Sequence, residues 1–270
     1  MLMESFVIDT NTDKRRECMK NIIITIFALL LLVISSTIYA ANDLVLHLSF
    51  DEGAGQIAAD ASGFGNDCSF MGNPQWIGGQ FGKAMEFDGA TWGEIPHDDS
   101  LNLTEGLTIS TWVILYGGGE GIQSAAEKGS AWIDGEYNLA PLYNGGTILQ
   151  MKDLPADCAD QNVGSNIQDN TWHFLTGTWD GQVIKLYIDG SVDAEMACAG
   201  TLLTNDEPMF IGARGGSSRF MIGALDELKI YNYALSEEEI MMDMEDPHNA
   251  TAVKPDNKLA ITWGEAKTGF

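Results

Sequence analysis

The residue with the most chemistry to offer is Asp226, in the run FMIGALDELKIYN (Phe220–Asn232). On a regular strand it shares parity with Phe220, Ile222, Ala224, Leu228 and Ile230, so its carboxylate points to the apolar face. An ionised carboxylate there is costly unless it is paired, hydrogen-bonded or bound to a cation. A bulge that turns the side chain outward, or backbone N–H groups donating to it, would account for it equally well. A second oxygen-rich stretch is DASGFGND (Asp60–Asp67). Carboxylates among glycines let side-chain and carbonyl oxygens converge as calcium requires, and the same stretch also reads as an Asp/Gly turn.

Other reactive patterns are missing or fail on context. Glycoside hydrolysis needs paired carboxylates flanking one bond. No E-x-D-x-x-E strand occurs, and Glu86-Phe87-Asp88 lacks the second glutamate. There is no GxSxG elbow, and His47, His97, His173 and His248 are scattered without HExxH or CxxC partners, which argues against zinc. Gly53-Ala54-Gly55-Gln56-Ile57-Ala58 imitates a dinucleotide-binding turn. Asp51 and Glu52 would face the pyrophosphate, however, and no helical pattern follows. No catalytic residue is assigned.

The formal net charge is −25 over 270 residues. A surface that negative repels phosphate backbones and excludes nucleic acid as a partner. Lys14, Arg15, Arg16 and Lys20 precede an apolar run from Ile22 to Ile34, and Ile38-Tyr39-Ala40 offers a small residue for cleavage. This is the pattern of a secretory signal peptide, with Met19 as an alternative start and an uncleaved anchor as the alternative fate. It predicts a secreted or cell-envelope protein with no membrane span once the leader is removed. The first 40 residues carry equal numbers of acidic and basic side chains, so the remainder keeps the whole charge of −25. It also keeps Cys68, Cys158 and Cys198. Cys158 lies before the hairpin at residues 172–190 and Cys198 after it, so they are the preferred disulfide pair. Such a bridge closes a loop of about 41 residues and is worth roughly 4 kcal/mol in the chain-entropy view. Cys68 is left as a small buried residue.

These groups must be positioned by strands. LVLHLSF (Leu44–Phe50), AMEFDG (Ala84–Gly89), LTISTWVIL (Leu107–Leu115), TILQMK (Thr147–Lys152) and PMFIGA (Pro208–Ala213) alternate or run apolar between turn residues. In WHFLTGTWDGQVIKLYIDG (Trp172–Gly190) two strands meet across Asp180-Gly181, a pair that suits a tight type I′ turn, and Asp189-Gly190 closes the next turn. Ile184, Leu186 and Ile188 share one face, and Val183, Lys185 and Tyr187 the other. The pattern predicts an all-β protein, an antiparallel two-sheet β-sandwich or jelly roll, with one short C-terminal helix. That helix starts at Ser236, with Glu239 at capping-box spacing. The expected organisation is a leader over 1–40, one domain over 41–245, and a linker or tail of unassigned role over 246–270.

HLSFDEGAGQIAADASGFGN (His47–Asn66), FGKAMEFDG (Phe81–Gly89), LTISTWV (Leu107–Val113), the hairpin above and GALDELKIYNYALSEEEI (Gly223–Ile240) come in an order that resembles the laminin-G-like jellyroll modules of the concanavalin A-like lectin/glucanase superfamily. The resemblance implies two sheets packed face to face and, as in several members, a structural Ca2+ where the opening turn meets the last strand. Its ligands would then be the carboxylates of Asp60 and Asp226 and backbone oxygens from Gly63 to Asn66, with Asp51 as a further candidate. Members usually bind glycans or proteins. In that setting Tyr116, Trp132, Tyr137, Tyr143 and Arg214, all in Gly-rich connections, are candidate ligand contacts, or else they cover the sandwich edge. Trp112, Trp172 and Trp179 sit within strand patterns and read as core. The expected function is an exported, non-enzymatic, glycan-binding module. The alternatives are an adhesive surface protein with an extracellular protein partner, and a glycan-cleaving enzyme whose carboxylates assemble from loops.

Overall fold

The structure, a computed structural model, describes residues 43–248 apart from Asn162. The predicted leader and nearly all of the predicted tail lie outside the described residues. In chain order the first strands are β1 (Leu44–Leu48), β2 (Ile57–Ala58), β3 (Cys68–Met71), β4 (Gln75–Gly78), β5 (Lys83–Asp88) and β6 (Trp92–Ile95). Then come β7 (Leu107–Leu115), β8 (Ile122–Gln123), β9 (Ala126–Lys128), β10 (Tyr137–Tyr143), β11 (Gly146–Met151) and a one-turn helix α1 (Ala156–Ala159). The last elements are β12 (His173–Trp179), β13 (Val183–Ile188), β14 (Ser191–Ala197), β15 (Met209–Ile211), β16 (Ile222–Tyr231) and α2 (Glu237–Glu245).

They form two antiparallel sheets, as the alternation predicts. The first has the order β14-β13-β12-β7-β16-β5-β4 with β1 on β16, and the second β11-β10-β9-β15-β6-β3-β2 with β8 on β10. Alternate residues of both sheets bury Leu46, Phe87, Ile109, Leu139, Leu149, Leu175, Trp179, Ile184 and Ile211 between them. Among the described residues no helix is long and apolar enough to cross a membrane.

The two Asp-Gly pairs make different turns. Asp189 and Gly190 have φ of +52° and +76°, as a two-residue type I′ turn requires, and join β13 directly to β14. At the other pair only Gly181 is left-handed. There Asp180 Oδ1 accepts from the backbone N–H groups of Gln182 and Val183, and the loop takes one more residue. The expected type I′ turn is therefore at 189–190 and not at 180–181.

Cys158 and Cys198 form a disulfide, with Cα atoms 5.5 Å apart, and Cys68 is free and buried. The capping box is complete, with Ser236 accepting from the Glu239 N–H while Glu239 accepts from the Ser236 N–H. Helix α2 packs on the outer face of the first sheet over a second apolar cluster of Phe174, Tyr187, Tyr231, Leu235 and Ile240. Trp112, read as core, borders this second cluster; Trp179 is fully buried in the main core, and Trp172 is partly exposed.

Candidate functional site

Two places gather functional groups, and the first is built on a fault in β16. Its register shifts between Asp226 and Lys229, and Glu227 adopts a φ of +52°. Leu225 and Leu228 both enter the core, so the strand changes parity across the bulge and Asp226 is turned away from the apolar side. It nevertheless stays fully buried, beneath the loop at residues 79–82. Its Oδ2 accepts from the Phe81 N–H at 2.8 Å, while its Oδ1 has no donor. Burial, with Glu227 and Asp51 adding to it, pushes the Asp226 carboxyl up to about 7 against the opposing backbone N–H groups of Phe81 and Gln80.

The buried Glu227 meets two histidines that lie at opposite ends of the domain in sequence. His47 Nε2 is 2.6 Å from its Oε2, and His248 Nε2 is 3.5 Å from its Oε1 without making a hydrogen bond to it. Atoms of Asp51, Glu227 and His248 lie within 4.8 Å of one another. A Cβ on Gly82 would collide with Asp51, and one on Gly79 with Asp226, so both glycines make room for the carboxylates. Two buried carboxylate oxygens without donors, beside a third acidic residue, fit a hard divalent cation.

Asp60, Gly63 and Asn66 close a turn of their own. Asp60 Oδ1 accepts from the N–H groups of His47 and Ser62, and Oδ2 from the Ser62 hydroxyl and the Asn66 N–H. Asn66 Nδ2 donates to the Val45 carbonyl and Ser100 Oγ. Both Asp60 oxygens thus accept from donors of the chain, whereas Asp226 Oδ1 and Glu227 Oε1 have none. Sequence spacing gave no sign of Glu227, His47 or His248, because His47 meets Glu227 through the pairing of β1 with β16 and His248 through the chain that follows α2.

The second place is the face of the second sheet turned away from the core. Cross-strand pairing sets Ser69, Glu94, Phe210, Glu127, Asn138 and Gln150 in one row over β3, β6, β15, β9, β10 and β11. Ser69 is exposed and Glu94 half-buried, whereas Glu127 and Asn138 are fully covered. Trp92 stands beside Phe210 with ring centroids 5.7 Å apart. The turn after β15 reaches over this row. Its Gly215 and Gly216 are both left-handed, and a Cβ on Gly216 would strike the Trp92 ring.

Of the predicted contacts the structure brings together Trp132 and Arg214, whose guanidinium lies 5.7 Å from the indole centroid. Arg214 Nε is 2.7 Å from Glu127 Oε1 without being aligned on it, and Arg214 also pairs with Glu136. Arg219 Nη1 reaches the same Glu127 oxygen at 3.2 Å. The other tyrosines lie elsewhere. Tyr137, expected in a connection, is a core residue of β10 whose hydroxyl donates to the Leu101 carbonyl. Tyr143 is at the far end of the same strand, and Tyr116 follows β7, its hydroxyl pushed up by burial and Glu86. Trp92 and Glu94 were readable from the alternation of Trp92-Gly93-Glu94-Ile95, which points both outward.

Burial and a hydrogen bond shared with Glu127 push the Glu136 carboxyl up to about 8, against the pull of Arg214. Neither carboxylate side chain reaches solvent, and both pair with Arg214. The folded state holds this proton at pH values where the unfolded chain, with its ordinary value of 4.5, has lost it. The resulting stability is full below that value and is lost as pH rises through about 8. Urea midpoints measured from pH 5 to 8.5 should therefore fall, and Glu136→Gln should flatten the fall. An equal slope in both proteins would place the shared proton elsewhere.

The two packed antiparallel sheets define a jelly-roll β-sandwich. The sequence profile of a laminin-G family, described as the concanavalin A-like lectin/glucanases superfamily, matches residues 87–241. The chain belongs to that superfamily. Among solved structures it is similar to domain 4 of AbnA, an extracellular arabinanase from Geobacillus stearothermophilus crystallised with arabinotriose. That match has a TM-score of 0.59 at 19% identity and covers 74% of this chain and 97% of the domain. The binding domain of Paraclostridial Mosquitocidal Protein 1 matches with a TM-score of 0.58 at 19% identity, over 75% of this chain and 52% of that one. The binding domain of botulinum neurotoxin DC, in complex with rat synaptotagmin II, matches at 0.56 and 12% identity over 75% and 51%. The chain thus spans about half of each toxin domain. No curated protein matches it.

Proposed function

We propose that this protein is an exported, non-enzymatic glycan-binding module with a structural calcium ion. The observation that carries the reading is the outward face of the second sheet, where Trp132 stacked on Arg214 borders the polar row and the Trp92–Phe210 pair. Flat aromatic surface beside hydrogen-bonding groups suits the apolar faces and hydroxyls of a sugar. A similar domain crystallised with arabinotriose, and the ganglioside-dependent entry named for botulinum neurotoxin type C, lend support. Calcium would be held by Asp51, Asp226 and Glu227 with His248 beside them, and would supply the positive charge these carboxylates lack. A disulfide and the signal-peptide pattern support export.

A glycan array beginning with arabinotriose tests the reading. Binding is expected, and Trp132→Ala should weaken it about tenfold, equivalent to about 1.4 kcal/mol. Absence of any glycan binding by folded protein would overturn it, and turnover of a bound oligosaccharide would overturn its non-enzymatic part.

A further inference from the structure

The hydrogen-bonding groups of the outward face are unevenly committed. Its cationic donors, Arg214 and Arg219, are taken up by Glu127 and Glu136, and both guanidinium side chains are only 14% exposed. Its acceptors are not. Asn138 Oδ1 lacks a donor but is covered, and among the described residues the side chain of the half-buried Glu94 makes no hydrogen bond or ion pair. Glu94 stands in the accessible part of the row, next to Ser69 and Phe210 and two residues along from Trp92. A face whose cations are already paired and whose accessible carboxylate is free gains from a ligand that donates hydrogen bonds. It loses with one that must accept them, because a carboxylate or sulfate would meet Glu94 and no free cation. The net charge of −25 adds long-range repulsion of the same sign.

We infer that this face selects neutral, hydroxyl-rich glycans and rejects uronic acids and sulfated sugars, with Glu94 as the residue that sets the discrimination. The inference rests on the glycan-binding reading above. A ligand hydroxyl donates to the Glu94 carboxylate while a sugar ring lies on the Trp92 side of the row.

The test uses the whole protein and matched probes: neutral gluco- and galacto-oligosaccharides, and their counterparts oxidised to uronates at C6. Binding is measured at low and at physiological salt. The expected result is at least one neutral binder whose uronate counterpart binds tenfold or more weakly, with a gap that narrows in salt. Glu94→Gln, which keeps the shape and removes the charge, should bring the pair to within about threefold. A uronate that binds as tightly as its neutral counterpart, or a gap unchanged by Glu94→Gln, overturns the inference and leaves the glycan reading standing. Retention of no probe of either kind overturns the glycan reading itself, and the inference with it.

Discussion

Asp243→Ala is expected to cost about 3–5 kcal/mol of folding stability, the range for breaking a buried ion pair from one side. Asp243 lies on α2 and pairs with Lys229 of β16, and both side chains are almost completely buried. Ser110 Oγ donates to Asp243 at 2.7 Å, and the Lys229 ammonium is 2.5 Å from the Pro247 carbonyl. Alanine would leave a buried ammonium with one neutral acceptor and a serine hydroxyl without one. A nine-residue helix has little stability of its own, so it depends on this anchor and on Ile240 and Met244 packing over the second cluster. Its release would expose that cluster. Urea unfolding followed by circular dichroism measures the loss, and the double replacement Lys229→Met with Asp243→Leu should recover most of it. A loss under about 1 kcal/mol would mean that apolar packing alone holds the helix.

Features written in nearest-neighbour chemistry were legible in the sequence. The strand faces of Val183–Ile188 and the Ser236–Glu239 capping box follow from local spacing, the pairing of Cys158 with Cys198 from their flanking one hairpin, and each is present. Asp180 and Asp189 mark the limit of such reading. Both precede glycine, yet only Asp189 takes the left-handed conformation, because its strands continue in register across two residues. Asp226 is the deeper case. Parity exposed it as anomalous, but the resolution lies in Glu227, whose positive φ no local rule would assign to a glutamate. Tyr137 went astray for another reason. The Gly-rich stretch from 116 to 146 reads as loop, while Pro141 within it is tolerated in β10 because the register shifts between Ala140 and Tyr143. Trp132 and Arg214 meet only because the turn after β15 crosses a neighbouring strand connection, a contact that spacing cannot encode.

Millimolar calcium is expected to raise the melting temperature of the parent protein, and Asp226→Asn should abolish most of the rise. A ligand at 100 times its dissociation constant adds about 2.7 kcal/mol, which for a domain of this size is on the order of 5–10 °C. Asparagine keeps the acceptor for the Phe81 N–H but removes the charge that a hard cation requires. The contrasting variant is Asp60→Asn. Both oxygens of Asp60 are engaged by the opening turn, so this change should lower the melting temperature with and without calcium and leave the increment intact. An increment lost in Asp60→Asn and kept in Asp226→Asn would move the ion to the 60–66 turn. Equal increments in all three proteins would place it outside both. The discrimination is sharp because the two aspartates differ in one respect: Asp60 has spent its lone pairs on donors from the chain, and Asp226 keeps one buried oxygen for which the chain supplies none.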